Sequence, residues 1–336
     1  MLNTRVIVTK YGGPDVLALV EEPLRLPLKG EVRVKVQSSG VALGDIVRRA
    51  GKFPFPLSLP FTPGYDAVGV VDEVGEGVGE YLKGQKVGVF FNGTGGYAAY
   101  VYAQLDEVFP VPAHIDSSLE VAVILNYVTA YQMLHRIAKV SEEERILIHG
   151  ASGGVGIALL ELGKLAKLRM YGTASKAKHP IVTHFGATPI DYRVEDFVDV
   201  LRLKAPEGID VVFDSIGGEN YKRSIQTLSK NGRLVIFGNT SILEEGDPKD
   251  WAKNWEGLAE QQTTENGNPV YLYTITSLKK ERLAWFQEDV QLVLSLLEEG
   301  KINPLISHRI PLREAYRAHE LFEKSIAIGK VVLVNE

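Results

Sequence analysis

Arg145-Ile146-Leu147-Ile148-His149-Gly150-Ala151-Ser152-Gly153-Gly154-Val155-Gly156 runs an apolar stretch straight into a glycine-rich turn. Ile157-Ala-Leu-Leu-Glu-Leu-Gly-Lys-Leu-Ala follows, with its apolar residues at helical spacing. Strand, glycine turn and helix in that order form a frame that holds a dinucleotide. Gly153 lets the backbone approach a pyrophosphate and Gly156 lets the helix pack on its strand. The free N–H groups and positive dipole end of the helix face the phosphates. The frame reads Ala-x-Gly-x-x-Gly, so Ala151, Ser152, Gly153, Gly154, Val155 and Gly156 are the expected pyrophosphate residues. In a chain with 33 glycines the pattern alone is weak, and the strand before it and the helix after it carry the reading.

Strands and helices alternate on from this point, as in a parallel sheet of βαβ units. Strands are expected at 145–149, 169–173, 188–190, 209–215, 233–238 and 269–276, six being the doubly wound number. The residues before them read differently, as short β-like runs punctuated by glycine and proline, among them Glu31-Val-Arg-Val-Lys-Val and Gln85-Lys-Val-Gly-Val-Phe-Phe. That texture predicts an antiparallel, barrel-like domain. It returns near the end, after an amphipathic helix from Leu278 through Leu297, with a short strand at His308–Ile310 and Gly329-Lys-Val-Val-Leu-Val. Residues 125–277 therefore read as a nucleotide domain inserted into a substrate domain made of 1–124 and 278–336. A helix is expected from Ser117, where Ser117 and Glu120 have capping-box spacing. The segment 241–268 is long for a connection between two strands. Its Asp250-Trp-Ala-Lys-Asn-Trp-Glu-Gly-Leu reads as a helix with one aromatic face, a candidate cap or dimer contact.

Composition narrows the function. The chain has 336 residues, 45% hydrophobic and 24% charged, with a formal net charge of -5 and no basic block. That balance suits a globular enzyme and argues against a nucleic-acid or anionic-membrane footprint. No apolar run approaches the ~20 residues of a membrane helix, and the start alternates like a strand rather than a signal peptide. A cytoplasmic location is expected. Cysteine is absent, which removes disulfides, thiolate nucleophiles and cysteine-liganded zinc together.

The end of the second strand chooses the nucleotide. A carboxylate roughly 20 residues after the glycine loop would bind the ribose 2′-hydroxyl of NAD. This chain has Gly172-Thr-Ala-Ser175-Lys-Ala-Lys178-His there, offering a hydroxyl and two lysines to a 2′-phosphate. Tyr192, beyond the third strand, is a further candidate contact. NADPH is the expected cofactor. His149, ending the first strand, reads as a packed core histidine rather than a proton donor, and His308 and His319 suggest no metal pair.

Collinear motifs across nearly the whole chain resemble the medium-chain dehydrogenase/reductase superfamily, in its zinc-independent quinone oxidoreductase group. They include Leu59-Pro-Phe-Thr-Pro-Gly-Tyr-Asp-Ala-Val-Gly, Gly95-Gly-Tyr-Ala-Ala-Tyr-Val, Asp214-Ser-Ile-Gly-Gly and Phe237-Gly-Asn. Leu125-Asn-Tyr-Val-Thr-Ala-Tyr and Thr173-Ala-Ser-Lys-Ala-Lys-His look most like the vesicle amine transport protein branch. Where zinc alcohol dehydrogenases of this superfamily place a cysteine and a Gly-His-Glu motif, Asp45, Tyr65 and Asp66 stand here, so no metal site is expected.

The resemblance implies an α/β fold in which a GroES-like β-barrel substrate domain accompanies a Rossmann doubly wound parallel six-stranded sheet. It implies an active-site cleft between domains and a homodimer joined by last-strand pairing near Val270–Ile275. It also implies reduction of a small electrophile, a quinone or an α,β-unsaturated carbonyl, by hydride from NADPH. Asp45, Tyr65, Tyr127 and Thr129 are the catalytic candidates, Tyr127 and Thr129 lying beside the nicotinamide. Asp214, Ser215, Gly217, Phe237, Gly238 and Asn239 are assigned by resemblance to the cofactor's ribose and pyrophosphate, and Gly329 and Lys330 to closure from the substrate domain. Asp45 also reads as the N-cap of a helix Ile46–Ala50. Ala42, Val47 and Phe53 stand where related reductases often carry asparagine and tyrosine, which makes the expected pocket apolar, with Asn92 as one more polar candidate. An enoyl-thioester reductase and a non-catalytic nucleotide-binding partner protein are the alternatives. A short-chain reductase fails, because no tyrosine here precedes a lysine by four residues.

Overall fold

The structure is a computed structural model and describes residues 1–244 and 246–335. The chain divides into two compact units, Met1–Val128 with Leu283–Glu336, and Thr129–Arg282.

The first unit begins with a hairpin of β1 (Leu2–Val8) and β2 (Leu17–Pro23). It continues through β3 (Glu31–Val41), α1 (Leu43–Arg49), β4 (Asp66–Val74), β5 (Lys86–Phe90), β6 (Tyr100–Gln104), β7 (Val108–Pro110) and the first part of α2 (Ser117–Tyr131). β3 is the hub, antiparallel to β4 on one side and to β6 on the other. Alternation in Glu31-Val-Arg-Val-Lys-Val sends Val32, Val34 and Val36 inward, where they meet Val71, Val87, Val89 and Val101 in one apolar cluster. The barrel-like texture of the sequence is thus a curved sheet folded over a valine-rich core.

In the second unit the strands are β8 (Arg145–Ile148), β9 (Arg169–Thr173), β10 (Thr188–Ile190), β11 (Ile209–Asp214), β12 (Leu228–Ile236) and β13 (Val270–Leu272). They lie in the order β10-β9-β8-β11-β12-β13, all parallel. This is the doubly wound order, in which the topology switches direction between β8 and β11. Its helices are α3 (Gly154–Leu165), α4 (His179–His184), α5 (Phe197–Lys204), α6 (Glu219–Ile225), α7 (Pro248–Gln261) and α8 (Ile275–Glu281). The chain then re-enters the first unit with α9 (Leu283–Glu298), β14 (Ile306–Pro311), α10 (Ala315–Glu323) and β15 (Lys330–Val334). β15 joins the seven-stranded sheet against β3.

Several local expectations change. The sixth strand is three residues, not eight, because the Thr274 hydroxyl caps the start of α8 and turns the backbone out of the sheet. The long helix expected from Leu278 is two helices, parted at Arg282, whose φ of -139° and ψ of 61° leave the helical region. At α2 the cap is Asp116, whose carboxylate accepts from Ser118 N at 2.7 Å; Glu120 instead turns its carboxylate to Lys86, 2.6 Å away. Trp255 and Leu258 of α7 pack onto the sheet's own core, so this helix is the crossover covering β12 and β13 rather than a cap.

Candidate active site

The carboxyl ends of parallel strands at a topological switch point are where open α/β sheets bind ligands. In the second unit these ends assemble the glycine loop after β8, the Thr173–Lys178 turn after β9, Ser215–Gly217 after β11 and Phe237–Asn239 after β12. α3 starts at Gly154, and its N-cap Gly153 supplies no side-chain cap, so the first-turn N–H groups remain for an anion. Gly156 is required sterically: a Cβ there would lie 2.3 Å from the Gly150 carbonyl oxygen and 2.7 Å from Ala151 backbone atoms. Gly153, Gly154 and Val155 keep surface exposure at this end of the sheet.

Two of the expected cofactor residues serve the loop itself. Ala151 is buried and its N–H donates to the Thr173 carbonyl at 3.0 Å, which withdraws that amide from any phosphate. Asp214 is buried too. Its carboxylate accepts from Ile216 N, Gly217 N, the Asn220 amide and the Ser224 hydroxyl, at 2.8, 3.3, 2.8 and 2.7 Å. Asp214 therefore shapes the turn after β11 rather than meeting a ribose. The Ser224 hydroxyl also meets His149 Nε2 at 3.0 Å, and His149 Nδ1 lies 3.2 Å from the Thr173 hydroxyl, to which Gly150 N donates. His149 is thereby a buried tie between β8, β9 and α6. Burial, opposed by nearby Asp214, holds its ring below the usual histidine pKa. Ser215 sits beside the loop, its hydroxyl 3.7 Å from where a Gly150 Cβ would stand. The Asn239 Oδ1 accepts from the Ser241 hydroxyl at 2.9 Å and crowds Gly217, where a Cβ would lie only 2.1 Å from it.

The turn after β9 has the electrostatics of an anion site. Ser175 precedes a short 3-10 turn, Lys176–Lys178, and Lys178 is half-buried. Burial first, and the nearby Arg193 guanidinium second, hold the Lys178 ammonium below its ordinary pKa. An anion bound at this turn would be stabilised by both charges. Tyr192 beside them is 54% exposed, its ring 5.9 Å from the Arg193 guanidinium. Arg193 was legible only as the basic residue immediately after Tyr192, and the sequence reading passed over it.

In the first unit, Asp45 is not an N-cap. α1 begins two residues earlier, and Asp45 occupies its third position, fully buried, accepting from Ala42 N at 2.9 Å and so closing a capping box. It also accepts from Gly64 N at 3.0 Å and the Tyr97 hydroxyl at 3.1 Å. Burial raises its carboxyl pKa to about 6 against those bonds. Tyr97 in turn meets His319 Nε2 at 3.3 Å, and His319 Nδ1 lies 3.4 Å from Arg49, which pairs with Glu323. This chain of contacts clamps α1 to α10.

Lys330, expected to reach the cofactor, is 2% exposed, with its ammonium 3.7 Å from the buried Asp66 carboxylate. Asp66 also accepts from Leu125 N at 3.0 Å. Gly329 adopts φ +63 immediately before it. Lys330 is therefore the counter-charge inside the barrel. The expected apolar pocket also needs correction, because Arg48 lies against Phe53 and Tyr65 and donates to the Tyr65 hydroxyl. The sequence reading gave Arg48 no role. Asn92 is exposed on the loop after β5.

Tyr127 and Thr129 both lie on α2, within a run of ten buried residues from Val121 to Ala130. Two positions along a helix of 3.6 residues per turn are roughly 200° apart. The two side chains leave opposite faces of α2 and do not converge on one ring.

Comparison with known proteins agrees with this architecture. Residues 28–113 match the family model of the alcohol dehydrogenase GroES-like domain, and residues 185–333 match that of the zinc-binding dehydrogenases. The quinone oxidoreductase of Lama guanicoe is 32% identical over 99% of this chain and 98% of its own. The synaptic vesicle membrane protein VAT-1 homolog of Danio rerio is 31% identical over 98% of this chain and 70% of its own. The Escherichia coli quinone oxidoreductase, solved in complex with NADPH, superposes with a TM-score of 0.87 at 28% identity, covering 98% of this chain and 99% of that one. No helix among the described residues is long and apolar enough to cross a membrane. With a six-stranded parallel sheet in the 3-2-1-4-5-6 order, a GroES-like barrel and end-to-end similarity to such enzymes, the chain belongs to the medium-chain dehydrogenase/reductase superfamily, in its quinone oxidoreductase and VAT-1-like group.

Proposed function

We propose that this chain is a zinc-independent, NADPH-dependent oxidoreductase that reduces a quinone or an α,β-unsaturated carbonyl compound. The observation that carries the cofactor assignment is the basic turn after β9, where Ser175, Lys176 and Lys178 stand in place of the carboxylate of an NAD-specific site, with the repulsion from Arg193 after β10 felt by Lys178. A 2′-phosphate relieves that repulsion, with Ser175 and Tyr192 as its hydroxyl partners. The amides of Gly154 and Val155 hold the pyrophosphate, with Ser152, Gly153, Ser215, Gly217, Phe237, Gly238 and Asn239 lining the same strand ends; the Gly153 amide itself is taken by the Gly150 carbonyl. A glycine loop that no Cβ fits at Gly156 is shaped for that close backbone approach. The similar Escherichia coli enzyme, whose structure contains NADPH, supports the same choice.

NADPH, when bound, supplies a hydride to an electron-poor carbon of the acceptor. The protein's own groups hold and orient the reactants. Burial raises the Tyr65 pKa, so its hydroxyl stays protonated at neutral pH and is the donor we assign to the acceptor. Thr129 is assigned to the nicotinamide carboxamide, and Tyr127, on the opposite face of α2, to packing. Zinc independence is supported by the donor set. The positions that would hold the metal are Asp45, Tyr65 and Asp66, of which both carboxylates are engaged by backbone amides. We further assign a cytosolic homodimer. β13 is the terminal strand of its sheet; Val270 N at its start is taken by the Gln262 carbonyl, and beyond that bond no strand pairs with its outer edge among the described residues, which suits pairing of the Tyr271–Leu272 end with a second copy.

The test is NADPH consumption against a panel of quinones, enones and enoyl thioesters, with NADH in parallel and metal chelator present throughout. Turnover of quinones or enones with NADPH, unaffected by chelator, is the expected outcome. A preference for NADH would overturn the cofactor assignment, and turnover of thioesters alone would overturn the acceptor. Light scattering checks the dimer.

A further inference from the structure

Arg48 leaves α1 toward the loop after β5, and its guanidinium is enclosed by three groups. The Phe53 ring centroid is 4.1 Å from it and the Tyr65 centroid 4.9 Å. Gly93, at φ +97, lies across it so closely that a Cβ there would come within 2.4 Å of Nη1. The residue is 9% exposed. Burying a charge without a counter-charge is costly, and arginine does not escape by losing its proton. Yet among the described residues Arg48 makes no ion pair. Nη1 donates to the Tyr65 hydroxyl, while Nε is buried with no acceptor. The Asp45 carboxylate feels the Arg48 charge without pairing with it, and its oxygens already accept from Ala42 N, Gly64 N and the Tyr97 hydroxyl.

Tyr65 shows the complementary deficiency. Its oxygen accepts from Arg48, but no described group accepts its own proton, although the residue is 8% exposed. A permanent cation and a neutral hydroxyl donor therefore stand side by side between aromatic walls, with no acceptor for Arg48 Nε or for the Tyr65 proton among the described residues. Stacked rings hold a guanidinium in place without neutralising it.

From this geometry we infer that Arg48 and Tyr65 form a carboxylate receptor, which makes Arg48 a specificity-determining residue for acceptors bearing an anionic group beside a planar conjugated system. The acceptor class rests on the reductase reading above, whereas the anion site itself does not. Charge-assisted hydrogen bonds from a guanidinium and a phenol to one carboxylate supply both the missing acceptor and the missing counter-charge. The Phe53 and Tyr65 rings are suited to a flat ligand.

The experiment uses two readouts on the full chain. Calorimetry compares trans-cinnamate with the uncharged trans-cinnamamide on wild type, Arg48→Met, Arg48→Lys and Tyr65→Phe. Kinetics compare 4-phenyl-3-buten-2-one with its 4-carboxyphenyl analogue, NADPH being saturating. Wild type is expected to prefer cinnamate at least tenfold. Arg48→Met should weaken cinnamate about a hundredfold with cinnamamide unchanged, Arg48→Lys should recover part of that loss, and Tyr65→Phe should cost several-fold. In the two Arg48 variants the KM of the carboxylated enone should follow the same order while that of the neutral enone stays put. Equal binding of cinnamate and cinnamamide by wild type would overturn the proposal without reference to any variant, as would equal losses on both ligands in Arg48→Met. Arg48-dependent cinnamate binding without turnover of either enone would instead remove the reductase reading and leave the anion site standing.

Discussion

His319 offers a stability test whose size follows from burial. The ring is fully buried between Tyr97 and Arg49, and desolvation, with Arg49 adding to it, pushes its pKa down to about 3. In the unfolded chain the ring titrates near 6.5. A histidine with a depressed folded pKa contributes stability that is fully present above pH 6.5 and is lost as pH falls toward 3, because only the unfolded state takes up the proton. At about 1.4 kcal/mol per unit, roughly 2 kcal/mol disappears between pH 7.5 and 5. Glutamine keeps an amide in this place and does not titrate. His319→Gln should therefore destabilise the barrel unit at pH 7.5 but lose about 2 kcal/mol of that penalty by pH 5. Asp45 and Glu120, raised to about 6 and about 7 by burial, gain stability over the same interval, but they do so in both proteins and cancel in the difference. Urea titrations followed by circular dichroism at the two pH values measure it. A penalty that stays constant with pH would show that the ring is not buried neutral.

Lys178→Ala and Arg193→Ala should each raise the Kd of NADPH ten- to a hundredfold and leave NADH within a few-fold, read by nicotinamide fluorescence, since each removes one charge-assisted contact to a 2′-phosphate. Gly156→Ala places a methyl 2.3 Å from the Gly150 carbonyl, a backbone atom that cannot swing away. NADPH binding by calorimetry should fall at least a hundredfold, and retention of wild-type affinity would refute the loop assignment. Lys330→Met leaves the buried Asp66 carboxylate without its counter-ion and should cost about 3–5 kcal/mol of barrel stability, with Asp66→Asn in the same chain recovering much of it.

How much of this was legible in the sequence depended on the range of the interaction involved. The six parallel strands could be read because each holds a short apolar run ended by a turn signal; four of the six expected spans match the observed strands closely, and the fifth begins at Leu228 rather than Arg233, its polar first half carrying no apolar signal. The sixth was overdrawn because Tyr273-Thr274-Ile275 has strand propensity, while the Thr274 cap that starts α8 is a hydrogen bond no propensity reveals. Asp45 and Lys330 illustrate a second limit. Residue type alone does not separate a carboxylate that faces a ligand from one wrapped by Ala42 and Gly64 amides. Nor does it separate a lysine that closes on a cofactor from one held by Asp66 in the barrel core. Arg48 and Arg193 escaped notice because each owes its meaning to a neighbour brought in from another element, Gly93 and Tyr65 in one case and Lys178 in the other.

The pairing of β15 with β3 has a consequence for biosynthesis. Val331 must find Val41, with the whole of Thr129–Arg282 lying between them along the chain. As the polypeptide leaves the ribosome, the contiguous inserted unit has every strand it needs by Leu272, whereas the flanking valine-rich sheet lacks a member until β15 emerges. Closing so long a loop carries an entropic cost that only the completed strand can offset. The interrupted unit is therefore the later of the two to consolidate, and until β15 is available the Ser38–Val41 end of β3 presents an open hydrogen-bonding edge to chaperones and to other nascent chains.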